Sequence, residues 1–214
     1  MGYELIFRED KHEYLLHKDS VLVGRCVSVT QILKATGKTG AGMYTPGSAE
    51  RGTLIHKMTE VLERGEGDEF GDDFQHAGEF RPYLVAYALS KLEIGLIYKW
   101  VEEKLFWFSG GPLNTTASGF LTCVFAGTAD RIAVLPDGQL CVIDLKTGGK
   151  EKWHRLQLAA YRDAAEQRLK VRIHRTAALY LKKDGSYDFD LVPADEQPGL
   201  DLKWSWAFKE WEAA

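Results

Sequence analysis

The run Gly127-Thr-Ala-Asp130-Arg-Ile-Ala-Val-Leu-Pro-Asp-Gly-Gln-Leu-Cys-Val-Ile-Asp144-Leu-Lys146-Thr-Gly148 places two carboxylates and an ammonium at spacings that can do chemistry. Residues two apart in a strand share a face, so Asp144 and Lys146 point the same way, following Leu140 and Val142. Charges in such a place are costly unless they are paired or bound to a metal. Pro136-Asp137-Gly138 reads as the turn of an antiparallel hairpin, which sets Asp130 nearly opposite Asp144. Two carboxylates so placed repel each other unless a divalent cation lies between them.

That arrangement suits phosphodiester hydrolysis. Mg²⁺ takes hard oxygen ligands, here two carboxylates, a backbone carbonyl such as that of Leu145, water and the phosphate itself. The metal acidifies its water and offsets charge building on the phosphate. A lysine beside it orients the attacking water or stabilises the developing negative charge. An isolated Asp-x-Lys is more often an ordinary ion pair on a surface hairpin, so the weight comes from what surrounds it. Gln157 and Tyr161, four apart on the following helix, project on one face, with Arg155 and Arg162 flanking it. A polar, aromatic and basic stripe of this kind is a DNA-holding surface. His56, on a separate helix one turn after Gly52, could be a structural histidine or a ligand. The absent side chain at Gly52 would permit close approach there. Glu102 and Glu103, on the strand before Asp130, offer a third carboxylate, and alternation allows only one of them to face the site.

The elements that position these residues follow from periodicity. Residues 1–24 alternate polar and apolar and read as a β-hairpin turning near Asp10-Lys11. Ser28 or Thr30 caps a short helix over 31–36, ended by Gly37. A loop with four glycines and Pro46 spans 37–47 and leads into a helix from Ser48 to about Arg64. An acidic, glycine-rich connection over 65–78 precedes a helix with Pro82 near its first turn, where the missing N–H costs nothing. Strands are expected at about 97–108, 120–135 and 139–146, then a helix over 151–168 and strands at 173–181 and 187–192. The tail, with Trp204, Trp206, Phe208 and Trp211, is expected to be helical, its tryptophans serving a core or an interface. Together these make one domain over 1–214: an N-terminal hairpin (1–26), a core (27–181) and a C-terminal strand and helix (182–214). The fold class is α/β, a mixed central sheet with helices on both faces.

Composition sets bounds on function. The chain is 45% hydrophobic with net charge −4, so it can build a core and carries no overall basic field. Charge is nonetheless segregated, with eleven Lys/Arg against three acids in 146–183 and eight acids against one base in 60–79. The acidic stretch would repel duplex DNA. No apolar span approaches the roughly 20 residues that cross a bilayer. The N-terminus lacks a secretory layout, and a cytoplasmic location with no membrane association is expected. Three scattered cysteines argue against a disulfide framework or an iron–sulfur cluster. Six histidines without HExxH spacing argue against a zinc hydrolase.

Gly-Thr-Ala-Asp130, Val-Ile-Asp144-Leu-Lys146-Thr-Gly, Gln157-x-x-x-Tyr161 and Arg-Gly-Thr-x-x-His56, in one order over residues 27–181, resemble the PD-(D/E)XK nuclease superfamily. The likeness is to its RecB-like and phage-exonuclease branch. It implies a restriction-endonuclease-like core and Mg²⁺- or Mn²⁺-dependent DNA cleavage, exonucleolytic rather than endonucleolytic, in recombination, repair or phage DNA processing. On this resemblance Asp130 and Asp144 are metal ligands, Lys146 is catalytic and His56 is a further ligand. Gln157 and Tyr161 hold the DNA strand. The branch also has a glutamate before its Gly-x-x-Asp motif; Glu102 fits better, with Glu103 still open. DNA and a recombination or single-strand-annealing protein are the implied partners. A catalytically silent DNA-binding or assembly module on the same fold is the alternative, and the intact Asp130, Asp144 and Lys146 argue against it.

Overall fold

Strands with apolar side chains on both faces must be covered on both faces. A computed structural model describes residues 2–8, 11, 13–40, 46–65, 77–108 and 123–214. The elements run β1 (Tyr3–Arg8), β2 (Glu13–Lys18), β3 (Val21–Ser28), α1 (Val29–Ala35), α2 (Pro46–Arg64), α3 (Ala77–Ile94), β4 (Ile97–Phe108), β5 (Cys123–Val134), β6 (Leu140–Lys146), α4 (Lys152–Leu169), β7 (Arg175–Leu181), β8 (Tyr187–Leu191) and α5 (Gln197–Glu212). They build the expected mixed sheet, ordered β1-β2-β3-β5-β6-β7-β8, with β4 paired to β5 off that path.

In β6, Val142 faces a cluster with α1, α4 and α5 that includes Ile32, Leu158, Ala160 and Trp204. Its neighbours Cys141, Ile143 and Leu145 face a second cluster, with Ile55 and Met58 of α2 and Tyr83 and Tyr87 of α3. A third cluster joins the N-terminal strands to β4 through Leu5, Tyr14, Leu16, Phe106 and Phe108.

The arrangement around β5 decides where the site falls. One edge of β5 pairs antiparallel with β4. The other edge is shared: β3 pairs in parallel at Phe125 and Ala126, and β6 pairs antiparallel from Val134↔Leu140 to Arg131↔Ile143. The Gly127-Thr-Ala-Asp130 segment lies between those two partners. The β5–β6 turn falls at 136–138, with Gly138 at φ +81, as the Pro-Asp-Gly triplet predicts. β6 then pairs in parallel with β7 across the α4 crossover.

Several expectations are corrected. The N-terminal segment is a three-stranded meander rather than a hairpin, because the chain reverses again at Asp19-Ser20 and β3 docks on β5. Both turn residues take positive φ (49 and 69) without the glycine or asparagine that normally signals such a turn. Ser28, not Thr30, caps α1: its Oγ accepts from the Gln31 N–H at 3.1 Å, and Gln31 Oε1 accepts from the Ser28 N–H at 2.8 Å. Helix α2 starts at Pro46 rather than Ser48. Helix α3 starts at Ala77, so Pro82 sits inside it and removes a helical N–H rather than a free one. Cys26 is disulfide-bonded, whereas Cys141 is a buried free thiol. Of the tail tryptophans, Trp204 is buried against Phe125 and Trp206 is exposed. The turn at Asp10, residues 41–45 of the glycine-rich 37–47 loop and most of the acidic 65–79 stretch lie outside the described residues.

Candidate metal centre

Past Arg131↔Ile143 the β5–β6 ladder ends, and the Asp130 side chain takes its place. Asp130 Oδ2 accepts the backbone N–H of Leu145 at 2.6 Å. This locks one carboxylate oxygen and leaves Oδ1 directed at His56. Helix α2 carries that histidine, seated on the sheet by the fully buried Ile55 and Met58. His56 Nδ1 lies 3.3 Å from Asp130 Oδ1 and 3.9 Å from Glu102 Oε1. Its Nε2 lies 3.1 Å from the Leu145 carbonyl oxygen. The three side chains each offer a ligand atom, all within 4.8 Å of one another.

Glu102, not Glu103, joins this group. Its φ of +51 within β4 is a left-handed conformation that non-glycine residues seldom adopt. Strain of this kind persists where surrounding contacts impose it. Glu103 pairs in register with Ala129 and, with Glu102, lines a groove of about 570 Å³ together with Tyr3, Phe7, Lys104 and Arg168, but its carboxylate is not among the three ligand groups.

Burial and close carboxylates shift the titration of every member of the group. Burial alone would depress the His56 pKa, but the Asp130 and Glu102 carboxylates raise it to about 9, so the ring is protonated at neutral pH. Asp130 is likewise opposed by burial yet held below the ordinary carboxylate range by His56, Lys146 and the Leu145 N–H. Burial and the Asp130 charge push Glu102 up to about 7. Burial, partly offset by Lys146, pushes Asp144 up to about 6. One imidazole nitrogen, two carboxylates and an adjacent carbonyl oxygen suit a hard or borderline divalent ion.

Asp144 lies beside this group rather than in it. Its Oδ2 is 2.5 Å from Lys146 Nζ, the shared strand face expected from the two-residue spacing. Lys146 Nζ also donates to Gln157 Oε1 at 3.1 Å, and Gln157 Nε2 donates to the Tyr161 hydroxyl at 2.8 Å. The ammonium stands 5.6 Å from the Trp153 ring centroid as well. Gly127 is what lets Tyr161 reach this position, since a Cβ there would sit 2.4 Å from Tyr161 Cε1. The glycine at 52 has no such role. A Cβ there meets Thr147 Oγ1 at 3.8 Å, an ordinary contact, so the expected close approach is not found.

Arg155 and Arg162 are turned to other work. Arg155 forms ion pairs with Asp190 at 2.8 Å and Glu196 at 2.7 Å. Arg162 pairs with Asp201 at 2.8 Å and donates to the Ile173 carbonyl. They fasten α4 to β8 and α5, with no contact to the Asp144–Lys146 pair. Two other participants were not singled out from the sequence. Tyr14, from β2, bonds Thr128 at 3.0 Å, and its pKa is raised to about 12 by burial and by the Asp130 and Glu102 charges. Arg131, immediately after Asp130, is fully buried. A cation at the head of the apolar run Ile-Ala-Val-Leu is the one sequence signal that could have flagged it, because a buried charge demands partners.

No curated protein matches this chain. A solved structure titled "Crystal structure of SSO0001" is similar at 16% identity and TM-score 0.33, covering 83% of this chain and 82% of that one. The family model of the PD-(D/E)XK nuclease superfamily matches residues 30–198, leaving the N-terminal meander outside. The matched span takes in the gap in the β5 edge together with His56, Glu102, Asp130, Asp144 and Lys146, and so this chain belongs to the PD-(D/E)XK nuclease superfamily and has its restriction-endonuclease-like fold.

Proposed function

We propose that this chain is a divalent-metal-dependent deoxyribonuclease, acting exonucleolytically in DNA recombination, repair or phage DNA processing. One observation carries the reading: the ligand atoms of His56, Glu102 and Asp130 fall within 4.8 Å of one another next to the Asp144–Lys146 pair. A bound Mg²⁺ or Mn²⁺ supplies charge neutralisation at the phosphate and an acidified water. Asp130, Glu102 and His56 would hold it, with Asp144 and the Leu145 carbonyl as further candidate ligands; only the neutral imidazole of His56 can ligate, so its proton would pass to solvent or buffer on binding.

Lys146 places a positive charge against the non-bridging oxygens as negative charge grows on them. Gln157 and Tyr161 keep that ammonium in one rotamer, and they offer polar atoms to the strand next to the scissile bond. The helix-borne histidine beside Asp130 supports the exonuclease side of the reading, as in the branch that its motifs resemble. Arg155 and Arg162 are left out of the DNA contact proposed here, because each is already neutralised by carboxylates.

The test is cleavage of end-labelled linear and closed circular DNA with Mg²⁺, Mn²⁺ or EDTA. Linear DNA is expected to be degraded with either metal, the circle to survive, and EDTA to stop the reaction. Asp144→Ala should abolish cleavage. Degradation by that variant at the wild-type rate overturns the reading. Undiminished DNA binding without calorimetric metal binding would point to the silent module.

A further inference from the structure

A guanidinium behind the metal cluster touches the support of each of its three members. Arg131 is fully buried. Its Nη1 donates to Glu102 Oε1 at 3.0 Å and to the backbone carbonyl of Asp130. Its Nη2 donates to Thr59 Oγ1 at 2.8 Å. The Thr59 hydroxyl in turn donates to the backbone carbonyl of His56 at 2.9 Å. The Nε donates to the Tyr87 hydroxyl at 2.7 Å. The charge lies against the stacked rings of Tyr87 and Tyr98, 5.3 and 5.8 Å from their centroids. One planar fork thus joins α2, α3, β4 and β5.

We propose that Arg131 is the positioning residue of the metal centre, setting Glu102, Asp130 and His56 at a common distance before any cation binds. This rests on the metal-dependent reading above. The physical case has three parts. The three members come from separate elements, so their convergence needs something rigid that spans all three. Only a guanidinium offers five N–H donors in a fixed plane; a lysine ammonium is a single point charge on a flexible stem. Finally, the left-handed backbone at Glu102 needs a contact that holds it, and the Arg131–Glu102 bond sits on that residue. Groups that orient metal ligands in this way typically contribute about 10–100-fold in metal affinity.

The test is Mn²⁺ titration calorimetry on the full chain, with folding followed by circular dichroism. Arg131→Lys keeps the charge and loses the fork; Mn²⁺ affinity is expected to fall by about 10–100-fold. Thr59→Val keeps the volume and the guanidinium and removes the acceptor of Nη2, and with it the link to His56. It is expected to fold normally and to lose several-fold in affinity, so the proposal stays testable even where the Arg131 substitution prevents folding. Asp130→Asn should remove binding altogether. Mn²⁺ binding to wild type with unchanged affinity in folded Arg131→Lys and Thr59→Val overturns the positioning role alone. Absence of Mn²⁺ binding by wild type overturns the metal reading and this role with it.

Discussion

The two sides of the site are built on different principles. On the α2 side, His56, Glu102 and Asp130 are braced from behind by a buried guanidinium that bonds to α2, α3, β4 and β5. On the α4 side, Lys146 is held by a linear chain, Asp144 before it and Gln157 then Tyr161 behind it, ending on the bare backbone of Gly127. A planar fork fixes positions through several bonds at once, whereas the chain depends on shape at its last link. The first side is therefore set by electrostatics and hydrogen bonding, the second by packing. Perturbing each side should produce separate symptoms.

The largest separation is expected between Asp130→Asn and Lys146→Met. The first should abolish both metal binding and DNA cleavage. The second should slow cleavage by on the order of 10²–10³-fold, the range for losing one charge-stabilising donor, while Mn²⁺ affinity stays near wild type. Equal loss of metal binding in both variants would merge the two sides into one unit.

Gly127→Ala probes the packed side. Its Cβ would force Tyr161 off its seat, with a stability loss of about 1–3 kcal/mol as for other overpacked positions. The Tm should drop and cleavage should weaken, again with metal affinity retained. Gly52→Ala, in ordinary contact with Thr147, is the matched control and should be close to neutral. A Gly127→Ala protein as stable and active as wild type would remove the shape argument.

The braced side should respond to pH. His56 (to about 9), Glu102 (to about 7) and Asp144 (to about 6) all bind protons more tightly in the folded than in the unfolded chain. Their stabilising contribution is complete at low pH and is lost as pH rises through those values. Asp130, held below its ordinary range, works in the opposite sense and loses its contribution in acid. Metal-free protein should therefore lose Tm between pH 6 and pH 9, and saturating Mn²⁺ should suppress the loss. Calorimetry in buffers of different ionisation enthalpy should show proton release on binding at neutral pH. A flat Tm profile with no proton release would contradict the protonated His56. The smallest effect belongs to Trp206→Ser on the exposed face of α5, expected to stay within about 0.5 kcal/mol of wild type in thermal melts.

Local signals carried much of this. The Pro-Asp-Gly turn and the two-residue spacing of Asp144 and Lys146 predict the β5–β6 hairpin and the shared face, because turn chemistry and strand pleat are set by neighbouring residues. The Ser28–Gln31 capping box is legible for the same reason, although the choice between Ser28 and Thr30 was not. The Asp19-Ser20 reversal was hidden, since the pair lacks the glycine that normally completes such a turn. The ion pairs of Arg155 and Arg162 were not legible, because a basic stripe on a helix carries no sign of the acids that β8 and α5 bring to it.

By itself the sequence determined which groups are available for chemistry, the strand face and hairpin that hold Asp130, Asp144 and Lys146, and the α/β order of the elements. Those follow from bond geometry and spacing over a few residues. Only the tertiary structure decided that β3 and β6 divide one edge of β5, that Glu102 rather than its neighbour meets His56 and Asp130, and that a buried guanidinium stands behind three potential ligands. These depend on groups remote along the chain meeting in a low-dielectric interior, where a charge is stable only beside the partners that folding delivers.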